Sequence, residues 1–226
     1  MAYGLAFFVI LALVYGPSIW VKYVLWRHSR HISDMPGTGA ELAEHLVERF
    51  TLEGVQVKKG NEDENYYSPD EKIVCLSPDV YEGKSLTAVA TAAHEIGHAI
   101  QFCRDEPVSH LRKKYMGKAL RIKKIGSYVL MSAPIFMVFL KTPLALAVLG
   151  LIGILSMLTS VVMYAAILPE EYDASFKKAL PILKEGYLPE HHLAAAAKVL
   201  RACAYTYVAA ALADVLRLWR WIRFLR

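Results

Sequence analysis

The sequence predicts a mainly α-helical membrane protein with a small α+β domain on its cytoplasmic side, carried by an N-terminal span and a transmembrane helical hairpin. Three observations predict this. Of the 226 residues, 55 % are hydrophobic, and the mean hydropathy is +0.31, although 21 % of the chain is charged. The apolar residues collect in long runs, Met1–Val21, Ile125–Leu140 and Leu144–Leu168, instead of being spread as in a soluble core. The polar remainder alternates helix-capping signals, short β-rich runs and one alanine-rich helical pattern, which is the make-up of a small α+β domain. On this reading residues 1–26 are the N-terminal transmembrane helix and 27–124 the polar domain. Residues 125–168 are the hairpin, and 169–226 return to the domain and end at the membrane surface.

Met1–Val21 carries no charge and is followed by Lys22, Arg27 and Arg30. It lacks the basic start of a secretory signal. The charge rule for membrane topology places the N-terminus outside and the following segment in the cytoplasm. Thr38-Gly-Ala-Glu41 reads as a capping box opening a helix whose apolar stripe is Leu42, Leu46, Val47 and Phe50, with Gly54 as its stop. Val55–Val57 and Lys72–Ser77 read as two short strands forming a hairpin across a polar loop from Lys58 to Asp70. Ser77-Pro78-Asp79 is a turn. Ser85 caps the next helix, whose apolar Val89, Ala92, Ala93, Ile96 and Ile100 follow helical spacing.

Eight cations lie between Arg104 and Lys124. They read as the cytoplasmic flank of the hairpin, and a nucleic-acid surface is the competing reading. Lys141-Thr142-Pro143 is the external turn. Two spans return the chain to the side it left, so Pro169–Ser175 re-emerges on the same side as His94. The last segment, His191–Arg226, is helical in composition. Its arginines 217, 220, 223 and 226 are interleaved with Trp219, Trp221 and Phe224, a basic aromatic tail suited to a membrane interface, with a fourth span as the alternative. Cys75, Cys103 and Cys203 are far apart and odd in number, which argues against a disulfide framework and for buried thiols in a reducing compartment. The chain is thus expected to be an integral protein of a prokaryotic inner membrane, with the lipid bilayer as a partner, a cytoplasmic site and no nucleic-acid partner.

His94-Glu95-Ile-Gly-His98 carries the chemistry. Residues four apart on a helix share a face, so His94 and His98 can hold one zinc ion. Glu95 is placed to take a proton from a water at that ion. A catalytic zinc takes a third protein ligand. A histidine six residues past His98 is absent, since Arg104 stands there. The candidates are Glu170, Glu171, Asp173, His110, His191 and His192. The acidic cluster is favoured for its position at the hairpin exit, although carboxylates in the first turn of a helix also serve simply to offset its dipole.

Ala93-His-Glu-Ile-Gly-His-Ala-Ile-Gln101, preceded by Leu76-Ser-Pro-Asp-Val-Tyr81 and followed by Leu168-Pro-Glu-Glu-Tyr-Asp-Ala-Ser175, resembles the YugP-type neutral zinc metallopeptidases from about Thr38 to about Ala211. The layout resembles, more distantly, the HtpX-like and CaaX-processing membrane proteases. These are gluzincins, with a zincin-like domain and a glutamate ligand in an E-[YF]-x-A-D block. That resemblance carries the third-ligand role onto Glu171. It also marks a departure at Ser175, where the distant relatives have an aspartate that orients a ligand histidine, with Asp173 as a substitute.

The resemblance implies peptide hydrolysis at one zinc ion held by His94, His98 and Glu171, with Glu95 as general base and a protein or peptide near the membrane as substrate. Tyr172, Tyr66, Tyr67 and the histidines are candidate oxyanion donors. The strand Lys72–Ser77 is placed to pair with an extended substrate. The alternatives are an intramembrane site-2-type protease, whose L-D-G block Leu212-Ala-Asp214 does not match, and an inactive zinc-binding membrane adaptor. Substrate preference, oligomeric state and regulation leave no mark in the sequence.

Overall fold

The computed structural model describes residues 2–140 and 143–224. The chain forms two compact units. One comprises Met1–Ser18, Leu111–Ile167 and Tyr207–Arg226, the other Ile19–His110 and Leu168–Thr206.

The second unit holds the motif. Helix α1 (Ala2–Arg27) ends within it, and α2 (Gly39–Arg49) follows. The expected capping box forms. The Thr38 hydroxyl accepts from Glu41 N, and the Glu41 carboxylate accepts from Thr38 N at 2.7 Å. The helix ends before Gly54, because Thr51 already turns the chain with a positive φ. Three strands, β1 (Gln56–Lys59), β2 (Tyr66–Ser68) and β3 (Ile73–Leu76), make a sheet ordered β1-β3-β2. This corrects the two-stranded hairpin. β1 runs parallel to β3, with Val57 opposite Val74, and the antiparallel partner of β3 is β2, from inside the segment expected to be loop. β3 is therefore hydrogen-bonded on both sides and offers no edge to a substrate, which leaves β1 and β2 as the edges. A proline at Val74 or Leu76 would break the sheet itself.

A short helix, α3 (Pro78–Tyr81), leads to α4 (Leu86–Cys103), capped as expected by the Ser85 hydroxyl accepting from Ala88 N. α4 is buried on nearly every side, against α2, the sheet and the segment after Tyr172. Its small Ala88, Ala90, Ala92, Ala93 and Ala99 let these neighbours approach. Leu42, Leu46, Val74, Leu76, Ile96, Leu183 and Leu200 fill the spaces between them. Each fully buried aliphatic side chain contributes about 1.5–3 kcal/mol.

Helices α5 (Ser109–Leu140) and α6 (Pro143–Tyr172) follow, and α6 continues as a π-helical turn over Asp173–Ala179. A short α-helical piece, α7 (Leu180–Ile182), and a second π-turn (Leu183–Tyr187) lead to α8 (Glu190–Phe224). In the first unit Ala119 of α5 packs with Tyr164 and Ile167 of α6 and with Tyr207 of α8. A Cβ on Gly126 would strike Ser156, so that glycine sets how closely α5 meets α6.

The membrane part of the expected fold is overturned. Among the described residues no helix is long and apolar enough to cross a membrane. α1 carries Lys22 and Arg27 toward its C-terminal end. α5 spends its first half on Arg112, Lys113, Lys114, Lys118, Arg121, Lys123 and Lys124. α6 carries Ser156 and Thr159 bonded back to its own carbonyls and closes on Pro169, Glu170 and Glu171. The N-terminal span, the transmembrane hairpin and the topology argument that put the site in the cytoplasm lose their basis. Lys141 and Thr142, the expected turn, and Arg226 lie outside the described residues, as do the side chains of the basic aromatic tail.

Candidate metal centre

α4 buries four strongly polar side chains, His94, Glu95, His98 and Gln101, none more than 6 % exposed. Burial on this scale requires partners, and those of the histidines come from the last turn of α6, from the segment that follows it and, for His98, from Gln101 of α4 itself. Gly97, just before His98, lets the segment after α6 in: a Cβ there would lie 2.7 Å from the carbonyl oxygen of Ala174. The π-turn thus rests directly on the motif helix, and its Ser175 meets the His94 imidazole. π-Turns inside helices occur mostly at functional sites because they redirect side chains out of the α register.

Glu171 Oε2 lies 3.3 Å from His94 Nε2 and 3.2 Å from His98 Nε2. The three donor atoms fall within 4.8 Å of one another, and all three residues are buried. The two imidazole rings are edge to face, 4.7 Å between centroids. Bonds of about 2.0–2.2 Å to a tetrahedral ion put its donors about 3.3–3.5 Å apart, so the spacing suits zinc. The proton inventory agrees. Ser175 Oγ donates to Leu200 O at 3.0 Å, so at its 3.0 Å contact with His94 it accepts from Nδ1–H. A neutral His94 then presents its Nε2 lone pair toward the Glu171 carboxylate oxygen, a pairing that a zinc ion between the two would satisfy, as would a second proton on the ring. The residues fit a zinc ion.

The acidic cluster separates into different positions. Glu171 faces both Nε2 atoms. Glu170 approaches His98 from the opposite side of the ring, with Oε1 3.6 Å from Nδ1. Asp173 touches neither histidine. It accepts from Gln101 Nε2 at 2.9 Å and from Lys178 Nζ at 2.6 Å, and Lys178 also meets Glu106 at 2.7 Å. Burial pushes the Asp173 carboxyl up, but the hydrogen bonds from Gln101 and Lys178 outweigh it and hold the group below the usual carboxylate range. Gln101 Oε1 stands 3.0 Å from His98 Nδ1. The expected gap at Ser175 is corrected: with no carboxylate there, the hydroxyl itself orients His94, while Asp173 reaches His98 only through Gln101.

His110 lies at the surface beside Asp105, 3.0 Å away. The rings of His191 and His192 lie tilted against each other at the start of α8. Neither place joins the metal group. Among the tyrosines, Tyr67 is buried against Phe102 with its hydroxyl 3.9 Å from Cys103 Sγ, and that burial raises its pKa. The hydrogen bond to Cys75 raises that of Tyr66 on the β2 edge. Tyr172 is 52 % exposed, next to Glu171 and tilted on Phe176.

Sequence reasoning did not single out Gln101, Lys178 or Gly97. Gln101 was legible as the residue one turn past His98. Lys178 was not, because its five-residue offset from Asp173 belongs to a π-turn and not to the α register.

The family described as "Putative neutral zinc metallopeptidase" matches residues 3–226 of the chain. The chain is 32 % identical over 224 residues to the "Putative membrane protease YugP" of Bacillus subtilis (strain 168), covering 96 % of this chain and 94 % of that protein. No solved structure matches it.

Proposed function

The chain belongs to the family described as "Putative neutral zinc metallopeptidase", and on that premise we propose that it hydrolyses peptide bonds at one zinc ion held by His94, His98 and Glu171. The observation that carries this reading is the convergence of two imidazole nitrogens on one buried carboxylate oxygen at 3.2 and 3.3 Å. When bound, the ion supplies Lewis acidity, polarising the scissile carbonyl and lowering the pKa of water toward about 7.

Glu95 is the general base in this proposal. It follows His94 on the same buried helix and is 6 % exposed. It takes the proton of the attacking water and returns one to the leaving amine. Ser175 keeps the His94 proton on Nδ1, so that Nε2 stays available. Tyr172, exposed beside Glu171, is the tyrosine best placed to meet a substrate. The substrate is a protein or peptide; the relative's name includes "membrane protease", and a membrane-associated substrate is the corresponding choice here.

The test is Glu95→Gln. Zinc content should stay at one ion per chain while peptide hydrolysis falls by about 10²–10⁴-fold. Hydrolysis that persists in the zinc-loaded variant would remove Glu95 from the mechanism, and a wild-type chain that holds zinc but cleaves nothing would favour the inactive adaptor.

A further inference from the structure

We propose that Gln101 is the positioning residue of this centre, its side-chain amide setting which nitrogen of His98 carries the proton and tying α4 to the Glu170 carbonyl and the Asp173 carboxylate, on either side of Glu171 in the chain. The proposal rests on the zinc reading above.

Gln101 sits one turn past His98 on α4 and is fully buried. Its Nε2 lies 3.0 Å from the carbonyl oxygen of Glu170 and 2.9 Å from Asp173 Oδ2. An amide nitrogen has two protons, and both are taken here, one by a main-chain carbonyl and one by an ion-paired carboxylate. Turning the amide over would set its oxygen against these two acceptors and lose both hydrogen bonds in a buried place, at about 1–3 kcal/mol for each group left unmet. Oε1 therefore faces His98 Nδ1, 3.0 Å away. A carbonyl oxygen has no proton to give, so Nδ1 must carry it. With the Nδ1 proton held there, Nε2, 3.2 Å from Glu171 Oε2, is the nitrogen of a neutral His98 that is left to face the metal position.

The same amide acts on the third ligand. Its two acceptors, Glu170 and Asp173, flank Glu171 in the chain. The Asp173 acceptor is itself braced: Lys178 bridges Asp173 and Glu106 at 2.6 and 2.7 Å, and Lys177 adds a contact to Asp173 at 3.4 Å. One neutral side chain thus links the protonation state of the second ligand to the location of the third, and an ion-paired brace outside the centre keeps that side chain from rotating.

The experiment uses the full chain with Gln101→Leu, which has similar length and no polar atoms. Zinc affinity is read by competition with a chelator, and the His98 tautomer by ¹⁵N shifts of the histidine-labelled, metal-free protein. The wild type should show Nδ1–H on His98. The variant should show a mixture of tautomers and a zinc affinity lower by about 10–100-fold. Unchanged affinity in a folded Gln101→Leu chain overturns the proposal, as does an Nε2–H tautomer in the wild type. That wild-type measurement stands even where the variant does not fold. A wild-type chain that takes up no zinc overturns the zinc reading instead, and the His98 tautomer of the metal-free protein still decides the role of Gln101.

Discussion

His94 and His98 are held by unlike partners, and the difference follows from what lies behind each ring. Behind His94 is a serine hydroxyl whose single proton is committed to Leu200 O. Behind His98 is an amide whose two protons are committed elsewhere. Both hydrogen bonds place a proton on Nδ1 through a neutral group, although the Glu170 carboxylate also stands 3.6 Å from His98 Nδ1. Cys203 shows the cost of charge here. Burial pushes its thiol up to about 12, against a hydrogen bond from Thr91 that lowers it, and the nearby Glu95 and Glu171 charges raise it further. A raised thiol pKa means less thiolate at neutral pH, and the thiolate is the nucleophile. At pH 7.5 iodoacetamide should therefore modify exposed Cys103 in the native protein and leave Cys203 and Cys75 intact, while denaturation opens all three. Mass spectrometry of the digested protein reads this, and early labelling of Cys203 would contradict the packing around Thr91.

At the scale of elements, the centre depends on two that differ in kind. α4 is an ordinary α-helix, and its i, i+4 spacing made the two histidines legible from the sequence. The π-turn Asp173–Ala179 is not ordinary, and nothing in its residues announces it. Its register places Lys178 rather than Lys177 closest to Asp173, and its backbone rests on Gly97. Gly97→Ala would push a methyl group into the Ala174 carbonyl. The expected cost is about 1–3 kcal/mol of stability, with a lower zinc affinity because Glu171 moves with the turn. Chemical denaturation and chelator competition measure the two effects. A Gly97→Ala chain as stable as the wild type would show that the two elements are not in contact. The sheet teaches the same lesson. β1 and β3 were read correctly as strands but wrongly as a hairpin, because Tyr66–Ser68 hid in a polar segment and a three-residue strand carries too little alternation to stand out.

At the scale of the molecule, the chain returns to unit Ile19–His110 through Leu168–Thr206, so the candidate ligands come from segments more than seventy residues apart, as the 73-residue separation of His98 and Glu171 records. Closing so long a loop is costly, and an ion bound only in the closed form adds its binding energy to folding. Zinc at about 100 times its dissociation constant should stabilise the unit by about 2.7 kcal/mol, raising the thermal midpoint of the metal-free protein. A chelator should reverse the shift, and a midpoint indifferent to zinc would mean that the three donors do not bind it together.

The sequence by itself determined the caps at Thr38 and Ser85, the motif helix and its two histidines, since these depend on spacings within a few turns. It also named Glu171, though through a resemblance and not through any local rule. Long apolar runs suggested membrane spans, but hydropathy counts residues without their neighbours; cations on α5 and the acids closing α6 belong to the same helices. Only the tertiary structure decided what stands behind each imidazole, which of three neighbouring acids faces the Nε2 atoms, and that β3 lies inside its sheet. Those are relations between segments far apart in the chain, and no local pattern of residues encodes the distance between them.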